Sequence, residues 1–211
     1  MRAKGRDKYL AAFSHMDGPG TITWEEFLEN AKRFLVVSNK ISDGWELRGN
    51  KHIPGEAYLF RRTKSFESSD SAMRDDKSTD NDEELHVKFQ EDPHEACSTI
   101  ETPFITEHHI LWSMNFGVPV FYFNRWKSDF PGINPMSVNE AQTDSKLNYM
   151  ELSQAIHPII GTPFLQLHPC LSQDLLQSMP MSKNKLVSWL SCVASAAINL
   201  QIHPEYYKLT Y

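Results

Sequence analysis

The first regular pattern along the chain is helical. Phe27, Leu28, Ala31, Phe34 and Leu35 recur at helical spacing and form one apolar face. Thr23 and Glu26 precede that face in the arrangement of a capping box, which satisfies orphan amides at a helix start. Two strand candidates follow, Trp45 to Arg48 and Ala57 to Arg61, separated by turn residues that include Pro54-Gly55. From Glu107 to Phe116 the chain alternates. His108, Ile110, Trp112, Met114 and Phe116 share one face, and His109, Leu111, Ser113 and Asn115 the other. Gly117-Val118 predicts a two-residue turn, and Pro119 to Asn124 returns as a strand. Four strands in succession make an antiparallel meander the economical topology.

Pro131 to Pro135 breaks the pattern. Ser137 and Glu140 offer a second capping box, and Leu147 to Ile156 reads as helical. An apolar, strand-like run then ends at Pro169, and a helix-compatible region follows. The last strong element starts near Ser182. Leu186, Trp189, Leu190, Val193 and Ala197 mark one face, which Val187, Ala194 and Ile198 widen, so this helix is expected to be buried against the sheet. The fold class is α+β, a four-stranded meander packed against helices.

Composition adds one feature to this picture. The chain has 211 residues, 40% of them hydrophobic, enough for one domain over residues 1–211 with an ordinary core. The net charge of −6 is unevenly spread, because 11 acidic and 3 basic side chains fall between Glu67 and Glu95. Ser65 to Ser98 therefore reads as a disordered acidic insertion, too poor in apolar residues to offset the entropy of ordering. It is expected to loop out between two strands as a solvated spacer. The basic N-terminus lacks an apolar core for a signal peptide, and Leu186 to Leu200 is too short for a membrane span. No basic run with interleaved aromatics suggests nucleic acid. Three cysteines without a Cys-x-x-Cys pair argue against a disulfide framework and for a reducing, cytoplasmic setting.

Candidate chemistry concentrates at Cys170. It lies in Phe164-Leu165-Gln166-Leu167-His168-Pro169-Cys170, at the end of a strand, with polar Ser172, Gln173 and Asp174 close behind. A thiol held there can be reached by a large partner, and a thiolate attacks carbonyls to give a thioester that passes readily to an amine. His168 stands two residues earlier and could touch the thiol. It either activates the thiol or hydrogen-bonds the backbone and shapes the turn, and the interruption by Pro169 favours the second role. No metal is expected, since His108 and His109 are adjacent on a strand and point to opposite faces. Cys97 and Cys192 have no supporting constellation, and no phosphate-binding glycine loop calls for a nucleotide cofactor.

These segments resemble a known family. His157-Pro158-Ile159-Ile160-Gly161-Thr162-Pro163-Phe164, then Leu167-His168-Pro169-Cys170, Val187-Ser188-Trp189-Leu190 and Asn199-Leu200 are similar to the autophagy-related protein ten family of ubiquitin-like-conjugating enzymes. Trp112-Ser113 and Val118-Pro119-Val120-Phe121-Tyr122-Phe123 look like that family's central hairpin. The resemblance implies a ubiquitin-conjugating-enzyme-like fold without cofactor. It also implies that Cys170 accepts the modifier autophagy-related protein twelve as a thioester from the activating enzyme, autophagy-related protein seven. The modifier would then pass to a lysine of autophagy-related protein five, in service of autophagosome formation. The His-Pro-Asn motif of conventional ubiquitin-conjugating enzymes is absent, so the group that stabilises the oxyanion is open. Backbone amides after Cys170, Asn115 and Tyr122 are the candidates. An exposed hairpin edge could receive the acceptor by strand addition. Other readings are an inert binding module of the same fold, a cysteine hydrolase, or the sibling autophagy-related protein three family, which passes its modifier to a lipid.

Overall fold

A computed structural model describes residues 18, 20–68, 101–145, 152–194 and 200–211. Helix α1 spans Trp24–Ile41 and starts where expected, with the Glu26 amide donating to Thr23 Oγ1 at 3.1 Å. The Glu26 carboxylate does not close the box; it pairs instead with Lys185 at 3.1 Å. Strands β1 (Glu46–Gly49), β2 (Ala57–Ser68), β3 (Glu101–Ser113) and β4 (Val118–Trp126) form the expected antiparallel meander. Helix α2 (Val138–Ser145) follows, and here the Ser137–Glu140 box closes in both directions, at 2.8 and 3.3 Å.

The sheet does not stop at four strands. Beyond β4 lie β6 (Pro163–Leu167) and then β5 (Leu152–Ile156), giving six strands in the order β1-β2-β3-β4-β6-β5. Leu152 to Ile156, read from sequence as the end of a helix, is therefore a strand, while residues 147–151 lie outside the described residues. Its backbone pairs with β6 from Leu152↔Leu167 to Ile156↔Pro163, and tertiary pairing of this kind overrides a local helical pattern.

Two further boundaries differ from expectation. The β3–β4 connection is the four-residue turn Met114 to Gly117, with Ser113 paired to Val118 and Gly117 at φ 62. The strands flanking the acidic segment are longer than their sequence suggests, and Ser68 pairs with Glu101. Residues 65–68 thus belong to β2, and the rest of the expected insertion lies outside the described residues. The polar composition of Arg61 to Ser68 concealed a strand that is stabilised by its long partner β3.

One face of the sheet carries Leu59, Ile110, Trp112, Phe121 and Phe123, all buried. Trp24 and Phe27 of α1 close over it, with Trp24 and Trp112 rings 5.7 Å apart and Trp112 Nε1 donating to the Ile22 carbonyl at 2.8 Å. Helix α3 (Pro169–Ser178) packs beside β4. Helix α4 (Lys185–Ala194) is buried as expected, against α1 and α3. Ala197 and Ile198, assigned to the same helix from sequence, lie outside the described residues. The chain closes with a 3-10 helix, Pro204–Leu209, whose Tyr206 stacks on Phe34 and donates its hydroxyl to Asp43 at 2.8 Å.

Candidate active site

Strand β6 delivers the chain to the thiol. It ends at Leu167, and the backbone leaves the strand at His168 (φ −62, ψ 130), which caps α3. Pro169 is the first helical residue, where its missing N–H costs nothing and its fixed φ suits the helix. Pro169, Ser172 and Leu176 turn inward at helical spacing and are buried, which leaves Cys170 on the outward side and exposed. On that side Gly20, at φ 99, crosses close to α3; a Cβ there would lie 2.7 Å from the Gln173 carbonyl oxygen.

His168 does not face the thiol as a base. Its Nδ1 accepts the Cys170 amide at 3.2 Å, so that nitrogen carries no proton. The same local geometry occurs at both other His-Pro pairs within the described residues. His157 Nδ1 accepts from the Ile159 amide at 3.3 Å, and His203 Nδ1 accepts from the Glu205 amide at 3.2 Å. No thiol follows either pair. The His-Pro step is therefore a turn device in this chain, and at position 168 it caps the helix that presents the cysteine. Replacing His168 by Ala should cost about 1 kcal/mol of stability, the usual loss of a side-chain cap. His168→Asn, whose Oδ1 can accept the same amide, should recover most of it in a urea denaturation series.

A groove of about 800 Å³ opens on the opposite sheet face and reaches the base of this helix. Pro169, Gln166, Tyr122 and Val120 line it, as do Asn115 and Phe116 of the β3–β4 turn. The structure thus brings Pro169, Tyr122 and Asn115, all singled out in the sequence, to one groove beside the thiol. Asn115 is exposed at the turn. Tyr122 is buried, and burial pushes its phenol above the ordinary value, so it stays protonated and keeps an O–H to donate. The amides next to the thiol are largely engaged. Cys170 N–H is held by His168, and Leu171 N–H reaches the His168 carbonyl at 3.2 Å.

Sequence reasoning missed the polar cluster behind the groove wall. His109, set aside in the sequence as one of two adjacent histidines, lies 3.0 Å (Nδ1 to Nε2) from His157, and both are fully buried. Phe164 of β6 packs on both imidazoles, with ring centroids 4.7 and 5.1 Å away, and closes this side of the sheet over them. His108 sits on the other face, beside Phe121. Among the described residues no three His, Cys, Asp or Glu side chains converge as a metal site. Cys192 is exposed on α4, and Cys97 lies outside the described residues.

A six-stranded antiparallel sheet packed with helices, and an exposed cysteine on the first turn of the helix that follows its inner strand, place the chain among the ubiquitin-conjugating-enzyme-like folds. The family described as autophagocytosis associated protein, active-site domain, matches residues 26–204, and the chain belongs to it. Three relatives are each named ubiquitin-like-conjugating enzyme ATG10. The one from Homo sapiens is 26% identical over 206 residues, covering 87% of this chain and 91% of the relative. Those from Dictyostelium discoideum and Arabidopsis thaliana are both 28% identical, over 122 residues (46% of this chain, 52% of the relative) and 120 residues (47% and 51%). The chain is thus an autophagy enzyme of the ubiquitin-like modifier transferase class. No helix among the described residues is long and apolar enough to cross a membrane.

Proposed function

We propose that the chain carries a ubiquitin-like modifier as a thioester on Cys170 and delivers it to a lysine of an acceptor protein. The observation behind this reading is the exposed thiol at the junction of β6 and α3, next to Pro169 of the groove wall and without an activating imidazole. The Cys170 thiolate attacks the carbonyl carbon of the modifier's C-terminal glycine, which arrives as a thioester on the activating enzyme. The tetrahedral intermediate expels that enzyme's thiolate. A deprotonated lysine amine then attacks the new thioester. The C–S bond breaks, an isopeptide bond forms, the nitrogen's surplus proton goes to solvent and Cys170 leaves as thiolate. No metal or cofactor enters either step.

With the adjacent amides occupied, Asn115 and Tyr122 are the donors we assign to the carbonyl oxygen of that intermediate. On the family resemblance the modifier is autophagy-related protein twelve, the activating enzyme autophagy-related protein seven and the acceptor autophagy-related protein five, acting in the cytoplasm. The test is a gel without reductant after incubation with modifier, activating enzyme and ATP. A reductant-sensitive shifted band supports the reading; its absence, with the activating enzyme shown to be charged, overturns it. Adding the acceptor to charged protein in which Asn115 or Tyr122 is replaced checks the assigned donors.

The acidic segment is assigned no part in this chemistry; we read it as a spacer. Ser68 and Glu101 are cross-strand partners, so residues 69–100 can be replaced by a short hairpin turn. Closing entropy falls by about 0.6 kcal/mol per halving of loop length, so such a variant should gain up to roughly 2 kcal/mol over three halvings. It should charge and discharge at the parent rate in the same gel. Loss of activity on that deletion would refute the spacer reading.

A further inference from the structure

We propose that His157 is a positioning residue for the transfer reaction, which with His109 forms a tautomer-locked pair clamping the Pro158–Ile159 wall of the groove beside the thiol. This rests on the conjugating reading above.

The hydrogen-bond pattern fixes every proton. His157 Nδ1 accepts two backbone amides, from Ile159 at 3.3 Å and Ile160 at 3.2 Å. Backbone N–H groups only donate, so this nitrogen is bare, and the imidazole's one proton sits on Nε2. That proton is donated to His109 Nδ1 at 3.0 Å. His109 in turn must carry its proton on Nε2, which faces Glu107 Oε2 at 3.6 Å, longer than a hydrogen bond but close enough for a charge–dipole attraction. Arg62 holds the Glu107 carboxylate from β2, at 2.7 Å from Nε and 2.5 Å from Nη2. A chain of donors therefore runs from the loop amides through both imidazoles to a charged pair.

Both rings must stay neutral for the chain to hold. A second proton on His157 would point at two amide N–H groups, and one on His109 would point at the His157 N–H. The surroundings enforce neutrality. Tyr58, Tyr122 and Phe164 pack around His157, with ring centroids 5.1–5.3 Å away. Burial, assisted by His109, lowers His157 to about 4. Burial also lowers His109, with Arg48 of β1 and Arg62 adding to it against the pull of Glu107. Burial works to raise Glu107 itself, but His109 and Arg62 outweigh it and hold the carboxyl below its ordinary value.

The clamp acts on the site because of what it holds. Pro158 and Ile159 line the groove together with Pro169, the residue before the thiol, and Tyr122 packs on the His157 ring. The loop's backbone–backbone hydrogen bonds run from the His157 and Gly161 amides to the Thr162 and His157 carbonyls, at 2.9 and 2.8 Å. A wall displaced by a fraction of an ångström changes how an acyl group on Cys170 is presented to an amine.

Asn and Gln dissect the pair. His157→Asn places an oxygen where Nδ1 stands and keeps the acceptor for the loop amides; His157→Gln places a donor near Nε2 and keeps only the link to His109. The readouts are thioester discharge to acceptor, the extent of charging, and the melting midpoint, together with 15N-histidine spectra of the full chain. The wild-type spectra should show both buried rings as neutral Nε2–H tautomers down to about pH 5. Asn should discharge near the parent rate. Gln should charge normally but discharge about ten- to a hundredfold more slowly. A purely structural pair would instead make the two variants alike in discharge, or their rates would follow the melting midpoints; either result overturns the proposal, as does an Nδ1–H tautomer at His157. If wild-type protein never charges, the conjugating reading fails and the positioning role falls with it. If it charges and Asn and Gln behave alike, only the clamp fails.

Discussion

Cys170→Ala should remove the reductant-sensitive adduct completely, and Cys170→Ser should replace it by one that survives reductant. The two outcomes follow from one geometry. Cys170 is exposed on the outward side of α3, and neither substitution disturbs the buried positions Pro169, Ser172 and Leu176. Surface changes of this kind move stability by about 0.5 kcal/mol or less, so loss of the adduct reports chemistry and not unfolding. Alanine has no nucleophile. Serine has a much poorer one, but once acylated it forms an oxyester, which resists both thiols and amines far better than a thioester does. The serine adduct should therefore form slowly, accumulate and fail to pass to the acceptor. Cys192→Ala is the control: Cys192 is also exposed but sits on α4, and its loss should leave the adduct intact. An adduct retained in Cys170→Ala would move the acyl-carrying site elsewhere in the chain. A hydrolase would show turnover of a modifier ester without the activating enzyme. The bare Nδ1 of His168, occupied by an amide, gives that reading no base at the thiol.

What was legible in the sequence was local. The capping residues Thr23 and Ser137, the alternation from Glu107 through Phe116 and the strand that stops at Pro169 all express themselves within a few residues, where side-chain spacing reports directly on backbone form. The exposed position of Cys170 at a strand-to-helix junction was legible for the same reason. What stayed hidden depends on partners far away in sequence. Leu152 to Ile156 is a strand because β6 pairs with it, and Arg61 to Ser68 because β3 does. Histidine 109 looked like half of an adjacent pair until the fold set His157, 48 residues on, against it. The one signal available beforehand was the recurrence of His-Pro at 157, 168 and 203, a repeated capping device whose meaning appears only when three imidazoles are seen accepting the amide two residues on.

Trp189→Ala should be strongly destabilising and should also blunt the active site, because Trp189 joins the core to the helix that carries the thiol. Its ring is fully buried on α4, and its Nε1 donates to Ser172 Oγ at 2.9 Å, two residues after Cys170. Truncating a buried Trp costs about 3–5 kcal/mol through lost contacts and the cavity left behind. The Ser172 hydroxyl, buried and deprived of its donor, adds about 1–3 kcal/mol if no other partner reaches it. Against a total of about 5–15 kcal/mol for an ordinary domain this is a large fraction. For a chain of this size each kcal/mol lowers Tm by about 2–4 °C, so the shift should reach roughly 10–20 °C. Trp189→Phe separates the two contributions. It keeps most of the packing and loses the hydrogen bond, and should cost about 1–3 kcal/mol. Adding Ser172→Ala to it should give much of that back, since removing both partners leaves no buried polar group unpaired. Thermal melts of the four proteins in this cycle measure the coupling directly. A coupling near zero would show that the bond does not hold α3. A coupling of about 1 kcal/mol or more, with slower charging in the single Trp189→Phe variant and recovery in the double, would show that core and thiol are joined through it.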